Sequence, residues 1–402
     1  MSNLTITNAA VVLADRVLDH ATVRVDDGRI TAIEPGPISS VTAQATIVDA
    51  DGAWLIPGVV DLHNDNLEYE IHPRIKANLP LPFALSNMER RLAGAGVTTE
   101  FHGIGFQEIP NKQRSIEDAQ IKAAFIADRE GEVRPVRHHI LHRLDVWTPG
   151  SLDAALPTLR RAQTPYLSLD DHTPGQGQQR DVEKLIAWLE ALPKDAVDGP
   201  IDRAAIIADM QAKLTDTESV PAFYREIATE LMQTPLVIAS HDDDTVAKVD
   251  AQAVLGARVA EFPITMEAAQ HARDRGMTIL VGAPNIVRGG SQSGNLSAID
   301  LAAAGLVDAI CADYHAPSII PAAFRLVDQG MRDLPSAIAM ITRNPARAVG
   351  LEDRGEIAIG KLADLALVRV DDLGMPQVEA TFTGGRTTMT FARSGNVPAG
   401  VA

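Results

Sequence analysis

The most informative part of the chain is the run Leu55-Ile56-Pro57-Gly58-Val59-Val60-Asp61-Leu62-His63-Asn64-Asp65-Asn66. Its apolar residues predict a buried strand, and its polar residues begin where that strand should end. His63 and Asp65 stand two positions apart, so in a regular strand both side chains project from one face. Imidazole nitrogens and carboxylate oxygens are common ligands of divalent metal ions. Taken alone, such a pair is more often structural than functional.

The same pattern recurs along the middle of the chain. Apolar runs end in Asp145, in His172, in His241 and in Asp313. Buried polar groups without partners cost several kcal/mol, so packing alone does not explain so many strands that end in His or Asp. The sequence therefore predicts that these side chains meet at one site.

Alternation of apolar strands with helical stretches gives the fold class. We identify eight candidate strands: Trp54 to His63, Val97 to Gly103, Val136 to Asp145, Tyr166 to His172, Leu236 to Asp242, Ala257 to Phe262, Thr278 to Val281 and Val307 to Tyr314. Eight strands with helical crossovers are typical of a (β/α)8 barrel, whose active site lies at the C-terminal ends of the strands. An α/β fold with a TIM-like barrel over residues 55–354 is therefore predicted.

Both ends of the chain are rich in short predicted strands separated by turns such as Asp26-Asp27-Gly28. Residues 1–54 and residues 355–402 resemble each other in this respect. We expect them to form together one small β-sandwich domain beside the barrel.

Composition excludes several classes of protein. The 402 residues include 36 Lys and Arg against 53 Asp and Glu, a net charge of −17, which argues against binding nucleic acid or an anionic membrane. Cys311 is the single cysteine, so internal disulfides and a cysteine-rich zinc module are excluded. No run of about 18 apolar residues predicts a membrane span. We expect a cytoplasmic enzyme with a small-molecule substrate, and a homo-oligomer is left open.

The polar strand ends predict a site for one or two divalent ions, with zinc favoured and manganese or iron as alternatives. The candidate ligands are His63, Asp65, Asp145, His172, His241 and Asp313. Two ions about 3.5–4 Å apart need a bridging carboxylate, for which Asp145 is the first choice and Glu100 the alternative. Asp313 is also the candidate general base, which accepts the proton of the attacking water.

A glycine-rich segment that follows the seventh predicted strand suggests an anion site. Glycines let backbone N–H groups approach a ligand, and barrels commonly bind phosphate near this position. The candidate substrate-binding residues are Arg288, Gly289, Gly290, Ser291, Ser293 and Asn295. The alternative is a flexible surface loop. Arg74, shortly after the first barrel strand, is a further candidate, although an exposed arginine is the commoner case.

Two segments resemble the amidohydrolase superfamily. Pro57-Gly58-Val59-Val60-Asp61-Leu62-His63 is similar to its first barrel strand, and the segment from Asn344 to Leu365 is similar to its closing segment. The superfamily usually has His-x-His on the first strand, where this chain has Asp65. Its two further metal histidines usually lie on strands five and six, whereas the predicted strands place His172 and His241 on four and five.

Denser motifs resemble the phosphonate-metabolism branch of that superfamily. They are His63-Asn64-Asp65-Asn66-Leu67-Glu68, Asp171-His172-Thr173-Pro174-Gly175-Gln176, Ala239-Ser240-His241-Asp242-Asp243, Ala260-Glu261-Phe262-Pro263 and Gly282 to Ser291. The resemblance covers about Trp54 to Val370. It implies hydrolysis of α-D-ribose 1-methylphosphonate 5-triphosphate or a related phosphorylated ribosyl compound, with release of diphosphate.

Three functions are carried forward. The first is this metal-dependent diphosphatase. The second is a hydrolase of C–N bonds, a deacetylase or cyclic-amide hydrolase, which would not require the anion-binding segment around Arg288. The third is a metal-binding subunit of a phosphonate-processing assembly, without turnover of its own.

Overall fold

The computed structural model describes residues 3–36, 46–74, 77–108, 114–177, 203–290 and 296–391. Within these ranges the chain forms two eight-stranded sheets, one mixed and one parallel. Helices separate most of the parallel strands along the chain. This arrangement confirms the predicted α/β class.

The mixed sheet joins strands from both ends of the chain, as the sequence predicted. Its members are β1 (Leu4–Val12), β2 (Val17–Asp26), β3 (Arg29–Glu34), β4 (Thr46–Asp49), β5 (Trp54–Pro57), β14 (Leu365–Val370), β15 (Pro376–Thr383) and β16 (Arg386–Thr390). They lie in the order β16-β15-β14-β5-β1-β2-β3, and β4 pairs with β1. The division of the chain into residues 1–54 plus 355–402 and residues 55–354 stays a prediction.

Alternation along the strands of this sheet separates two cores. Leu365 and Leu367 pack into a cluster formed by residues from the two ends of the chain. Ala366 and Val368 point to the opposite face and join the large cluster between the barrel and its helices. Because side chains alternate along a strand, one face of the mixed sheet packs against the barrel. The opposite face contributes to the separate core of the terminal segments.

The parallel sheet is the barrel. Its strands are β6 (Val59–Asn64), β7 (Val97–Phe106), β8 (Arg137–Asp145), β9 (Tyr166–Asp170), β10 (Val237–His241), β11 (Val259–Glu261), β12 (Thr278–Gly282) and β13 (Ala309–Cys311). Each pairs with the next in sequence order. A parallel bridge between Asn64 and Asp313 connects the last strand to the first and nearly closes the barrel.

Helices surround the barrel strands. The α-helices are α1 (Asn66–Ile71), α2 (Leu81–Gly94), α3 (Ile116–Ala127), α4 (Ser151–Leu159), α5 (Arg203–Thr215), α6 (Ser219–Leu231), α7 (Val246–Val254), α8 (Met266–Asp274), α9 (Ala283–Arg288), α10 (Ala298–Ala303), α11 (Ile319–Asp328), α12 (Leu334–Ala339) and α13 (Arg343–Ala348). None of the helices in the described ranges has both the length and the apolar character that a membrane crossing needs.

The predicted strand from Trp54 to His63 is wrong as a single element, because the structure divides it between the two sheets. Trp54–Pro57 belongs to the mixed sheet and Val59–Asn64 to the barrel. Gly58 lies between them, and a Cβ atom there would come within 2.2 Å of Thr98 Oγ1 on β7. Only glycine lets the chain pass this close to its neighbour.

The lower part of the barrel is filled with apolar side chains. Residues that point inward, among them Leu62, Phe101, Leu141 and Tyr166, form one buried cluster. Polar residues at the C-terminal ends of the same strands therefore rest on an apolar layer that keeps water out from below.

A buried histidine on β8 makes the fold sensitive to acid. His142 Nδ1 lies 3.0 Å from the carbonyl oxygen of Tyr166, and Nε2 lies 3.1 Å from Thr158 Oγ1. Burial lowers the pKa of His142 to about 4 from its usual 6.5. Between these values the unfolded chain binds more protons, so this stabilising contribution is present above pH 6.5 and is lost as the pH falls toward 4.

We therefore expect His142→Asn, which keeps a donor near the Tyr166 carbonyl, to flatten the pH dependence of unfolding. The difference in free energy of unfolding between about pH 7 and about pH 5 should be about 2 kcal/mol smaller in the variant than in the wild type. Urea denaturation at both pH values measures it. Parallel pH profiles for the two proteins would contradict the assignment.

Candidate metal centre

Three buried side chains meet at the C-terminal mouth of the barrel. His63, His241 and Glu261 each offer a ligand atom, and these atoms lie within 4.8 Å of one another. Glu261 Oε2 lies 3.3 Å from His63 Nδ1 and 3.2 Å from His241 Nδ1. The carboxylate thus stands between the two imidazoles, which lie roughly parallel with ring centroids 5.7 Å apart.

An irregularity in β6 turns His63 into the barrel. Val60 and Leu62 already face the interior, so strict alternation would point residue 63 outward. The pairing of β6 with β7 shifts register between Asp61 and Asn64, and the His63 amide donates to Asp61 Oδ1 at 3.3 Å. Such bulges commonly redirect a side chain at an active site.

Three residues with a strained backbone lie at the same C-terminal mouth of the barrel. Asp242, Phe262 and Asp313 have positive φ angles of 53°, 54° and 59°. The first two directly follow His241 and Glu261, and residues other than glycine adopt this conformation at a cost. The Phe262 ring then packs edge-on against both imidazoles, with centroid distances of 5.0 and 5.3 Å. The strained residues therefore help to set the walls of the site.

Opposite charges hold this cluster together. Burial opposes protonation of His241, but the carboxylates of Asp242 and Asp170 raise its pKa to about 9. Burial also opposes ionisation of Glu261, but the two imidazoles hold the pKa of this carboxyl well below its usual range. Ser168 Oγ and Tyr166 Oη donate to the Glu261 carboxylate at 2.7 and 3.1 Å and fix its orientation.

These donors fit a divalent metal ion. Two imidazoles and one carboxylate form a common ligand set for zinc. His63 Nδ1 is buried and makes no hydrogen bond of normal geometry among the described residues, although Glu261 Oε2 lies 3.3 Å away. A buried polar atom left in this state is costly unless something else binds it, and a cation would do so.

An arginine lies beside the cluster. Arg143 Nη1 is 2.6 Å from Asp65 Oδ2, and Arg143 Nη2 is 2.9 Å from Asp170 Oδ2. Burial opposes the charge on both carboxyl groups, but the guanidinium holds the pKa of Asp65 and of Asp170 below their usual values. All three side chains are therefore ionised at neutral pH.

Comparison with known proteins gives the family. Residues 245–389 match a family described as the amidohydrolase family. Over 373 residues the chain is 34% identical to the alpha-D-ribose 1-methylphosphonate 5-triphosphate diphosphatase of Escherichia coli (strain K12), covering 91% of this chain and 95% of that protein. The chain belongs to the amidohydrolase superfamily, in its phosphonate-metabolism branch.

Two further proteins are similar to this amidohydrolase. It is 26% identical to the imidazolonepropionase of Cupriavidus taiwanensis over 88% of this chain and 84% of that protein. The crystal structure of a putative prolidase from Bifidobacterium longum superposes with a TM-score of 0.62 at 16% identity, covering 96% of this chain and 94% of that one. At that identity the likeness shows a shared fold.

Asp65 and His172, two other predicted ligands of this amidohydrolase, lie at the margin of the cluster. Asp65 Oδ1 is 3.7 Å from His63 Nε2 while its other oxygen binds Arg143. The His172 ring lies 6.5 Å from that of His241, centroid to centroid. Among the residues that the structure describes, the group of converging donors contains neither of them.

Asp145, the predicted bridging carboxylate, makes local contacts at the end of β8. Its two oxygens accept from the Trp147 amide at 3.3 Å and from Thr148 Oγ1 at 2.7 Å, in a local turn after β8. The carboxylate between the two imidazoles is Glu261. Asp145 is the last residue of β8, and its carboxylate is oriented by hydrogen bonds within the turn that follows.

The alternative bridging residue, Glu100, lies on the other face of its strand. Its neighbour Phe101 points into the barrel, so Glu100 points outward. It pairs in register with Asp61, and burial together with the Asp61 charge raises the pKa of Glu100 well above its usual value. Glu100 therefore lies away from the group of donors at the mouth of the barrel.

Asp313, the predicted general base, stands beside the cluster. Its amide donates to the His63 carbonyl at 2.9 Å, and its own carbonyl accepts from the Asp65 amide at 2.8 Å. Burial raises the pKa of the Asp313 carboxyl to about 6, and the nearby His63 charge opposes the rise. Gly282 leaves room for this carboxylate, because a Cβ atom there would lie 3.0 Å from Asp313 Oδ2.

The predicted anion segment is only partly described. Residues Ala283–Arg288 form helix α9, which begins directly after β12 and ends with the exposed Arg288. Gly289 follows with a φ of 78°, and Gly290 is the last residue before the undescribed residues 291–295. Ser291, Ser293 and Asn295 lie outside the described residues. Arg74 is exposed and forms an isolated bridge with Ala77.

Three residues of the site, Glu261, Asp170 and Arg143, were not predicted as ligands or partners. Each lies at the C-terminal end of its strand and points inward, at an even spacing from an interior apolar residue such as Val259, Tyr166 or Leu141. Because residues at even spacing along a strand share one face, their spacing from these apolar residues would have placed all three side chains in the barrel interior.

Proposed function

We propose that this amidohydrolase releases diphosphate from α-D-ribose 1-methylphosphonate 5-triphosphate or from a related ribosyl 5-triphosphate. The observation that carries the proposal is the buried group of two imidazoles and one carboxylate beside a buried arginine. The relative from Escherichia coli, whose name states this activity, supports the choice of substrate. A cytoplasmic location belongs to the same proposal.

Each residue of the site has a role in this reaction. His63, His241 and Glu261 would hold a divalent ion, for which we propose zinc. Such an ion supplies Lewis-acid activation of water and polarises phosphoryl oxygens. The Asp313 carboxylate accepts the proton that the attacking water loses, and Arg143 stabilises negative charge on the phosphoryl oxygens.

The protein also has to keep bulk water away from the reacting group. The apolar layer below the site and the Phe262 ring beside it leave the donors buried, with His63 only 1% exposed. In such surroundings the attraction between fixed charges and a phosphoryl group is stronger than in water. Electrostatic stabilisation therefore contributes most to the lowering of the barrier.

The test is a release assay with the purified, metal-loaded protein. Diphosphate release is measured for ribosyl and nucleoside 5-triphosphates, and ring opening or deacetylation for a panel of cyclic and acetylated amides. We expect diphosphate release from the ribosyl triphosphates with the highest kcat/KM. Turnover of amides alone would favour the C–N hydrolase, and a protein that binds metal but turns over neither panel would favour the non-catalytic subunit.

Arg288 tests the anion segment, for which we propose contacts to the outer phosphates of the substrate. Arg288→Ala should raise KM for the triphosphate about tenfold, because a hydrogen bond to a charged group contributes about 1.5–3 kcal/mol. Inhibition by inorganic diphosphate should weaken by a similar factor. Steady-state kinetics measure both.

Arg258→Ala is the matched control, since Arg258 is exposed at the opposite end of the barrel, just before β11. It should leave both constants unchanged. An Arg288 variant with wild-type KM and wild-type inhibition by diphosphate would remove this residue from the site.

A further inference from the structure

Two carboxylates lie on either side of the proposed metal site. Asp65 Oδ1 is 3.7 Å from His63 Nε2, and Asp170 Oδ1 is 4.0 Å from His241 Nδ1. In two-metal sites, carboxylates that lie next to the first group of ligands commonly bind the second ion. Here, however, each carboxylate directs its other oxygen to Arg143, at 2.6 and 2.9 Å.

The barrel is shaped to hold this guanidinium. β7 presents Gly103 to the interior, beside the arginine. A Cβ atom at Gly103 would lie 2.4 Å from Asp65 Oδ1 and 3.4 Å from Arg143 Cδ. Any larger residue would therefore push the ion pair out of place. The arginine side chain is only 10% exposed, and that of Asp170 is 1% exposed.

We propose that Arg143 is a built-in cation that takes the place of a second metal ion, so that this amidohydrolase binds one divalent ion per chain. The proposal rests on the metal site described under the proposed function, but not on the identity of the substrate. Besides its role toward the phosphoryl oxygens, Arg143 then has two further tasks: it forms ion pairs with Asp65 and Asp170, and it leaves their oxygens unable to bind a second ion.

The charges around Arg143 are already paired. Its guanidinium lies between the carboxylates of Asp65 and Asp170, at 2.6 and 2.9 Å. A second metal ion bound by these carboxylates would stand beside the guanidinium, and two cations side by side in buried surroundings are costly. Asp242, 3.5 Å from His241 Nε2, and Asp313 add carboxyl groups at the edge of the site.

The first test is metal stoichiometry of the wild-type chain. Protein stripped with a chelator is titrated with Co²⁺, followed by its visible spectrum, and with Zn²⁺, followed by elemental analysis after gel filtration. We expect one equivalent of tightly bound metal. Two equivalents of similar affinity would overturn the inference and leave the proposed function intact, whereas no bound metal would refute the metal site itself.

The second test removes the guanidinium. In Arg143→Met, Asp65 and Asp170 lose their cation, and we expect the capacity to rise to two equivalents, with spin coupling between two Co²⁺ ions. Arg143→Lys keeps a positive charge and should stay at one. Arg160→Met, which breaks an ion pair with Glu230 on the outside of the barrel, is the matched control and should also stay at one.

A folded Arg143→Met protein that still binds one equivalent would overturn the inference. If that variant does not fold, the wild-type titration decides alone, because its result does not depend on any substitution.

Discussion

Replacing Asp313 by Asn is expected to leave the metal content unchanged and to lower kcat by about 10²- to 10⁴-fold, the usual contribution of a general base. The amide has nearly the same size as the carboxylate but cannot accept a proton. Because burial raises the pKa of Asp313 to about 6, this group is a better proton acceptor than an exposed carboxylate and is still largely ionised at neutral pH. Elemental analysis and steady-state kinetics on the same preparation measure both quantities.

Asp308→Asn is the matched control for this variant. Asp308 stands at the other end of β13, where it binds Arg273 and the Ile279 amide. We expect this variant to keep wild-type turnover. An Asp313→Asn enzyme with unchanged kcat would show that another group accepts the proton.

Glu261→Gln should have the second large effect, on metal affinity. The substitution removes the negative charge from the position between the two imidazoles. Loss of an outer-shell partner already costs about 10- to 100-fold in affinity, so we expect at least about 100-fold for a direct ligand. Competition with a coloured chelator measures the dissociation constant.

Asp145→Asn tests whether Asp145, the bridging carboxylate predicted from the sequence, binds the metal instead of Glu261. Asp145 binds the Trp147 amide and Thr148 within a turn, so its variant should retain wild-type metal affinity. If the Asp145 variant lost the metal and the Glu261 variant kept it, the site as described here would be wrong.

The sequence predicted the barrel because its parallel strands are short apolar runs with polar ends. The same rule found His63, His241 and Asp313, which lie at or beside the cluster. His172 lies at the margin of the cluster and follows the last strand residue, Asp170, by two positions. Beyond the end of a strand the alternation of side chains no longer holds, so sequence spacing does not predict direction there.

Long-range partners could not be predicted in the same way. The contacts of Arg143 with Asp65 and Asp170 join residues of separate parts of the chain, so its spacing along one strand does not reveal them. Glu100 was the alternative bridging residue because it is an acidic residue on the second predicted strand. Its outward direction becomes clear only when Phe101 is seen to face the barrel interior.

The junction at Gly58 has a mechanical consequence. β5 runs between β1 and β14 in the mixed sheet and continues, after one glycine, into the strand that carries His63. A truncation that removed β1 would remove a hydrogen-bonded neighbour of β5. The position of β5 would then be less well defined, and so would that of the His63 imidazole a few residues further along the chain. Tags, fusions and shortened variants at the N-terminus should therefore be judged by how well they retain metal as well as by their solubility.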